Sequence, residues 1–469
     1  MHLGTGIGHY IPLVAYLGFW VMIFVSLGGK PLLGLYYLMP FLPYRTMRDH
    51  FLDYPLGANV LTILVLAVII GALIQGKQLP KSKLYAIWLV YGVYLYFSMW
   101  LGTALGNAPV PLWLSELNFA TWKDYMLIPL IFVAASLVIE DRKAIRMTVI
   151  LVAFSVFFID RSSLLESMTR TWTTFDEDKR SGGPLGYGSN QTAAFMAQFL
   201  MFFWGFAQFL KRKKLRLLCY GLVALTIAAT LYTFSRGAYL AILVSVLILG
   251  LLKDRKLLIV LGVFLVSWQT IVPAPVRERV NMTKSTNGQL EQSAQERVDL
   301  WHNAEDSMLH SPILGMGYAT FQFGQHVANL ADTHNWYVKV MVETGIVGLI
   351  MAFMLLQGML AVSYRLFKRA IDPLYRGLGL GLLLATCSCM VANCFGDRWT
   401  YVEITSLLWV LVAAAIRATH ATASEPTPEL DTRGSHPSLA QNGNLPAFAG
   451  GSKANLRKQD QAKLSSAAS

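Results

Sequence analysis

Residues Ser293 to Leu349 read SAQERVDLWHNAEDSMLHSPILGMGYATFQFGQHVANLADTHNWYVKVMVETGIVGL, a polar segment that enters an apolar run just after His334. This segment ends the one long polar interruption in a chain of 469 residues. Elsewhere apolar runs dominate, since 55% of the residues are hydrophobic and only 14% are charged. Soluble domains carry about 25% charged residues. The composition therefore predicts a membrane protein.

Apolar runs that could cross a bilayer recur along the chain, and a spanning helix needs about 20 residues. They cover residues 10–28, 31–44, 56–75, 84–105, 123–139, 145–160, 191–210, 216–235, 237–252, 256–273, 335–363, 376–396 and 402–417. The second run is short and bounded by prolines, which favours a half-helix. We therefore expect an all-α polytopic membrane protein with about 12–13 transmembrane helices and one large polar loop that contains short helices.

The formal net charge of +12 comes from short basic clusters between the apolar runs. Two runs separate each cluster from the next, so one orientation places all of them in the cytoplasm, as the positive-inside rule requires. The clusters are Lys77/Lys81/Lys83, Arg142/Lys143/Arg146, Lys211/Arg212/Lys213/Lys214/Arg216, Lys253/Arg255/Lys256 and Arg365/Lys368/Arg369/Arg376. This pattern predicts a membrane as partner and no nucleic acid.

The same topology divides the chain into six segments. They are an N-terminal transmembrane scaffold (1–160), a polar loop (161–190), central transmembrane helices (191–273), a large polar loop (274–333), C-terminal transmembrane helices (334–417) and a disordered cytoplasmic tail (418–469). The tail is rich in Ala, Ser, Pro, Asn and Gly, a composition that does not support a packed core. Both polar loops fall on the non-cytoplasmic side.

Arg236 lies between two apolar runs that are joined by almost no loop. We expect its guanidinium near the membrane surface on the non-cytoplasmic side, where positive charge is unusual. Gly237 beside it allows another group to approach the backbone closely. Both a snorkelling membrane anchor and an anion-binding group fit this position.

The large loop supplies two more candidates. Ser293 and Glu296 form a capping box, which predicts a helix with Arg297 in its first turns and Trp301 on the same face. Arg297 could pair with a neighbouring carboxylate, or it could bind a phosphate through two parallel hydrogen bonds. The residues leave both uses open.

His334 stands at the start of the next apolar run. We expect Asp332 or Thr333 to cap the new helix, which would place His334 in its first turn. A neutral imidazole there can accept a proton or orient a hydroxyl, and a surface histidine without a role also fits. Farther upstream, Arg180 precedes two glycines and could contact an anion, or it could belong to a flexible solvated loop.

Other site patterns are missing from the sequence. It contains no phosphate-binding P-loop, zinc pattern or nucleophile elbow, and its non-cytoplasmic carboxylates form no tight cluster. We therefore predict chemistry without a metal or another cofactor.

Three motifs, taken in order, resemble the O-antigen ligase and polysaccharide polymerase superfamily. They are Ser235-Arg236-Gly237 at the outer end of a span, RVDLWHNA…SPILGMGYATF in the large loop, and THNWYVKVMVETGIVGL at the following span. The specific resemblance covers about residues 180–350. The rest of the chain is similar only as a polytopic scaffold.

The resemblance implies an inner-membrane glycosyltransferase of the C-type whose active site faces the periplasm. Its donor would be a glycan on undecaprenyl diphosphate, its acceptor a glycan, a lipid or a protein, and transfer would be inverting and metal-independent. Arg236 and Arg297 would hold the diphosphate, and His334 would activate the acceptor hydroxyl, which makes these three the predicted catalytic residues. Arg180 and Trp301 complete the predicted substrate-binding set.

Several functions stay open on the sequence alone. A ligase and a polymerase would share the donor and differ in the acceptor. A secondary transporter for a small anion would use Arg236 as a charge in its pathway, and a scaffolding subunit would bind the lipid-linked glycan without catalysis. Transporter sites gather near mid-membrane, so the long polar loop on one face favours the glycosyltransferase.

Overall fold

The structure, a computed structural model, describes residues 10–105, 108–169, 180–282, 300–302, 304–306, 308–323 and 333–424. Every regular element in these residues is helical, and none of them forms a β-strand. The prediction of an all-α polytopic membrane protein is confirmed. Arg297 lies outside the described residues, as do Asp332 and residues 425–469.

Fifteen α-helices have defined ends. They are α1 (Ile11–Leu27), α2 (Pro31–Leu38), α3 (Arg45–Asp49), α4 (Val60–Ile74), α5 (Lys83–Leu105), α6 (Leu117–Val138), α7 (Arg142–Met168), α8 (Ser189–Ala207), α9 (Lys213–Leu231), α10 (Arg236–Leu252), α11 (Lys256–Ile271), α12 (Ala274–Asn281), α13 (Trp336–Arg369), α14 (Pro373–Ala392) and α15 (Val402–Ser424). Residues 300–302, 304–306 and 308–310 of the large loop are also helical.

The number of complete spans is lower than the predicted 12–13. Each predicted run coincides with a helix, but only eight described segments are long and apolar enough to cross a membrane, or nine if the bent pair α11–α12 counts as one span. Helices α1, α2 and α10 are apolar but short. Helix α8 has 19 residues and opens with the polar sequence SNQT. Short or partly polar helices therefore account for the difference.

Two predicted segment boundaries also differ from the helix ends in the structure. Helix α7 continues to Met168, so the first part of the predicted polar loop 161–190 is helical. Helix α15 continues to Ser424, past the predicted start of the tail at residue 418. In both cases the helix extends beyond the apolar run, because a helix can continue into water once its apolar part is anchored.

Glycines allow α8 and α14 to pack closely along their length. A Cβ added at Gly381 of α14 would lie 2.5 Å from the Phe202 carbonyl oxygen of α8, and one at Gly205 of α8 would lie 3.0 Å from the Gly381 Cα. Lipid chains are as apolar as leucine, so helices in a membrane associate through close van der Waals contact between small residues. This pair forms the centre of the bundle.

Helix α13 is broken at Gly345, which has φ 61° and ψ −168°. The backbone groups around the break bond instead to the turn formed by residues 311–317. The Met316 and Gly317 N–H groups donate to the Val342 and Glu343 carbonyls, each at 2.8 Å, and the Ile346 N–H donates to the Pro312 carbonyl at 3.0 Å. The large loop is thereby fixed to the helix that follows His334.

Helix α5 closes the other side of this turn. The Tyr94 hydroxyl donates to the Thr344 carbonyl at 2.6 Å, and the Tyr318 N–H donates to the Ser98 hydroxyl at 3.1 Å. The structure docks this turn between α5 and α13. Buried backbone groups need partners, and the turn supplies them at the break.

Replacing Gly345 with alanine should destabilise the fold more than the same change at Gly76. Both glycines have positive φ, 61° and 69°, so both substitutions carry a backbone cost of about 1–3 kcal/mol. Only at Gly345 would the new Cβ overlap another chain segment, at the Ile313 carbonyl, whereas Gly76 faces open space. Overpacking should add about 1–3 kcal/mol. Thermal unfolding in detergent measures the difference, and equal shifts would show that the turn does not fill the break.

Candidate functional site

A sharp turn brings Arg236 to the end of the bundle. Helix α9 ends at Leu231 and α10 begins at Arg236, so four residues reverse the chain. Phe234 takes a left-handed conformation there, with φ 53°. That conformation is costly for an aromatic residue and is found where surrounding structure enforces it. The turn lets the first turn of α10 face a cavity of about 270 Å³.

Four arginines line this cavity, which we call the arginine cavity. They are Arg180, Arg236, Arg279 and Arg398. They come from the segment before α8, the start of α10, the last turn of α12 and the loop between α14 and α15. A guanidinium is always charged in proteins, so four positive charges surround a small volume. Such an arrangement favours negative charge inside it.

Neighbouring backbone and side-chain groups orient Arg180. Its Nε donates to the Thr233 carbonyl at 3.0 Å, and its Nη2 donates to the Asn190 Oδ1 at 2.6 Å. The N-cap residue of α8 is Gly188, and Asn190 lies inside the first turn. Gly182 and Gly183 donate their N–H groups to the Glu166 carboxylate of α7. The described end of this loop is held by hydrogen bonds.

Arg398 is 5% exposed and folds over its own loop. Its Nη1 donates to the Asp397 carbonyl at 2.9 Å, and its backbone N–H donates to the Asn393 Oδ1 at 2.9 Å. Gly396 beneath it has φ 140°, and a Cβ there would lie 2.8 Å from the Arg398 Nη2. Glycine is therefore needed where the guanidinium crosses the backbone.

Arg279 reaches the cavity through a bend in the chain. Helices α11 and α12 meet at 105°, with Pro273 as the N-cap of α12. Proline fixes φ and is favoured at a helix start. The bend carries the last turn of α12 across the end of the bundle, where Arg279 is 5% exposed.

Gly237 allows a close approach, as the sequence predicts. A Cβ at this position would lie 2.9 Å from the Cβ and Cγ of Phe395, another residue of the cavity wall. The first turns of α8 and α10 both line the cavity, through Asn190 and through Ser235 to Ala238. Helix N-termini carry partial positive charge and unpaired N–H groups. The backbone therefore adds to the positive potential of the arginines.

His334 lies just ahead of α13 rather than in its first turn. The N-cap is Asn335, whose Oδ1 accepts from the Tyr337 and Val338 N–H groups at 3.0 and 3.3 Å, so Thr333 does not cap this helix. Thr333 donates its hydroxyl to the Asn335 carbonyl instead. His334 is left-handed, with φ 51°. Such strain in a residue other than glycine gathers at functional sites.

Trp301 touches the histidine segment rather than the arginine cavity. Its Nε1 donates to the Thr333 carbonyl at 3.0 Å. The helical part of the large loop is thereby tied to the residue before His334. Neither Trp301 nor His334 lines the arginine cavity, so the predicted site residues occupy two neighbouring regions.

Those two regions share one loop. The rings of Trp336 and Trp399 lie 5.2 Å apart and both side chains are 1% exposed. Next to them, the Lys339 Nζ lies 3.1 Å from the Asp397 Oδ2. Helix α13, which starts two residues after His334, is therefore attached to the loop that carries Arg398.

Asp397 organises this loop. Burial alone would raise its pKa, but the Lys339 ammonium and the hydrogen bonds from Thr400 hold the pKa below its ordinary value. Its Oδ1 accepts from the Trp399 and Thr400 N–H groups, both at 3.0 Å. A carboxylate that is buried and held in this way stays charged.

Part of the chain that forms this site matches a known protein family. Residues 221–353 match the family model described as O-Antigen ligase. This segment is therefore similar to the O-antigen ligase family, as the sequence motifs predict. A comparison with curated proteins finds no match. The family indicates a function of the O-antigen ligase or polymerase type in general, carried by a multi-pass membrane protein.

The matched segment contains Arg236, Arg279 and His334 and ends inside α13. Arg180 and Arg398 lie outside it. Sequence analysis missed Arg279 and Arg398, although the argument used for Arg236 applies to both, because each is a positive charge in a segment predicted on the non-cytoplasmic side. Only the fold places them beside Arg236.

No metal site is evident in the part of the chain that the structure describes. Groups of three histidine, cysteine, aspartate or glutamate side chains placed to hold a metal ion are not found there. The expectation of chemistry without a metal stays a prediction.

Replacing Asp397 with alanine should cost about 3 kcal/mol, because it breaks a buried ion pair and removes the acceptor of the Trp399 and Thr400 N–H groups. The exposed pair Lys77–Glu140, with side chains 26% and 42% exposed, is the control. Glu140→Ala should cost below about 1 kcal/mol. Denaturation of both variants measures the difference, and a smaller loss for Asp397→Ala than for Glu140→Ala would contradict the role given to this loop.

The same pair predicts a pH dependence. The folded pKa of Asp397 is lowered, so its contribution is complete above the ordinary value of about 4 and is lost as the pH falls below it. Unfolding at pH 3 and pH 7 should therefore differ more for the wild type than for Asp397→Asn.

Proposed function

We propose that the chain is an inner-membrane glycosyltransferase that moves a glycan from undecaprenyl diphosphate to an acceptor hydroxyl at the periplasmic face. The arginine cavity carries the proposal, because four guanidinium groups and two helix N-termini converge on it. Its volume of about 270 Å³ equals roughly nine water volumes. That is room for a diphosphate.

The cavity suits a leaving group that gains charge. In an inverting transfer the acceptor oxygen attacks the anomeric carbon as the bond from that carbon to the phosphate oxygen breaks. Both bonding electrons go to the diphosphate, so its negative charge increases in the transition state. Preorganised donors aimed at such charge are a large source of catalysis. Arg180, Arg236, Arg279 and Arg398 would supply them through bidentate hydrogen bonds.

His334 would take the proton of the acceptor hydroxyl. A neutral imidazole can act as the proton acceptor for such a hydroxyl. Its strained backbone is held between the Trp301 contact at Thr333 and the cap at Asn335. Arg297 stays in the proposal as a further diphosphate-binding residue on the strength of the sequence motif alone.

Alanine at Arg236, Arg279 or Arg398 should lower glycan transfer about 10²–10³-fold, the effect of removing one preorganised donor. Arg277→Ala is the matched control. Arg277 lies on α12 two residues from Arg279, but it does not line the cavity and donates to the Gln269 carbonyl. Transfer with purified lipid-linked donor measures the effect. Equal losses at Arg277 and Arg279 would show that α12 matters only for the fold.

Alanine at His334 should abolish transfer while donor binding persists, because the histidine acts on the acceptor. His310→Ala, in the same polar segment and exposed, is the control. A deletion strain complemented with each variant provides the cellular readout. Long lipid-linked chains accumulating without attachment would indicate a ligase, and single repeat units would indicate a polymerase. Unchanged envelope glycans in the deletion would overturn the proposal in favour of a transporter.

A further inference from the structure

A second cavity of about 640 Å³ lies at the other end of the α8–α14 pair. The last turn of α8, the first turn of α14 and the start of α9 form its walls together with one face of α7. The first turn of α8 faces the arginine cavity instead. The α8 residues that line the arginine cavity, Asn190 and Ala194, lie about 14–24 Å along the helix from those that line the second cavity, Phe203 and Phe206.

Helix α8 itself has 19 residues and is about 28 Å long, close to the hydrocarbon thickness of a bilayer, about 30 Å, and the two cavities lie at its opposite ends. The two cavities therefore belong to opposite membrane surfaces. The basic clusters of the sequence lie at the end that contains the second cavity, which the positive-inside rule assigns to the cytoplasm. This cavity has no part in the proposed transfer reaction.

The polar side of the second cavity is strongly basic. Arg142, Arg146, Lys211 and Arg212 line it. Arg142 is paired with Asp372, at 2.5 Å from Nε to Oδ2 and 3.3 Å from Nη2 to Oδ1. Among the described carboxylates, none forms an ion pair with Arg146, Lys211 or Arg212. One carboxylate thus faces four cations.

The remaining wall is apolar. Phe203 and Phe206 of α8 and Leu215 and Leu218 of α9 belong to it. Leu215 and Leu218 are 45% and 70% exposed, so the groove opens on the side where lipid would surround the bundle. A soluble anion would gain nothing from this wall. A molecule with an anionic head and an apolar tail matches both parts.

We propose that this groove binds an anionic glycerophospholipid of the cytoplasmic leaflet. Its phosphate would lie against Arg146, Lys211 and Arg212, and an acyl chain would lie along the apolar wall. Basic pockets between transmembrane helices on the cytoplasmic side bind anionic headgroups in this way. The lipid would join α7, α8 and α9 at the membrane surface.

The test uses the delipidated full-length protein in a neutral detergent. Phosphatidylglycerol should bind, as read by native mass spectrometry, and raise the unfolding temperature by several degrees, whereas phosphatidylcholine should not. The triple variant Arg146→Ser/Lys211→Ser/Arg212→Ser should bind phosphatidylglycerol about 100-fold more weakly, given the contribution of each basic residue near anionic lipid.

The matched control is Lys213→Ser/Lys214→Ser/Arg216→Ser. These exposed residues of the same cluster do not line the groove, and the change in net charge is identical. The control should retain binding. Equal losses in both triple variants would overturn the proposal in favour of general surface charge, and an equal stabilisation by inorganic phosphate would overturn it in favour of a free-anion site.

A second variant tests the apolar wall without changing charge. Ala153→Phe should occupy the groove and weaken phosphatidylglycerol binding, because Ala153 lines it. Met147→Phe, on the same helix and exposed, does not line the groove and should leave binding unchanged. Unchanged binding in Ala153→Phe would overturn the position given to the acyl chain.

Discussion

The need to satisfy buried backbone groups governs this structure. Helices achieve this internally, which is why the membrane part of the chain is built from them. Where α13 breaks at Gly345, the backbone groups that lose their helical hydrogen bonds cannot bond to water, because residues 342–345 are buried. The turn at 311–317 provides the missing donors and acceptors. A single break in one helix therefore fixes the position of the large polar loop, and with it the segment that leads to His334.

The second organising contact is the glycine packing of α8 against α14. At one end it brings the first turn of α8 close to the last turn of α14. At the other end it brings the last turn of α8 close to the first turn of α14. Both ends are sites where four helices meet, and both gather arginines. The interior of the pair is apolar and closely packed, so charged groups are restricted to its two ends. An activity with anions at membrane surfaces fits this distribution better than one with a substrate passing through the middle.

The chemistry at the arginine cavity depends on strain held by packing. Phe234 and His334 are left-handed, and Gly396 adopts a conformation that only glycine takes readily. Phe234 and Gly396 each lie two residues before an arginine of the arginine cavity, and His334 is itself proposed to act on the acceptor. The tilted ring pair Trp336–Trp399 and the ion pair Lys339–Asp397 hold these segments together, because buried aromatic and charged partners restrict a loop. Rigid helices with strained connections thus hold close together arginine side chains that repel one another.

The sequence by itself determined the helical class, the order of the apolar runs, the nearness of Gly237 to another segment and the resemblance to the O-antigen ligase family. These features are local: hydropathy is read within one run, and the Ser235-Arg236-Gly237 motif lies in one turn. Other features depended on competition between neighbouring residues, which a sequence pattern does not resolve. They are the helix cap predicted at Thr333, the number of complete spans and the boundaries of the loops. Only the tertiary structure decided that Arg279 and Arg398, 119 residues apart in the sequence, join Arg180 and Arg236, because their meeting follows from a bend after α11 and from the packing of α14 on α8.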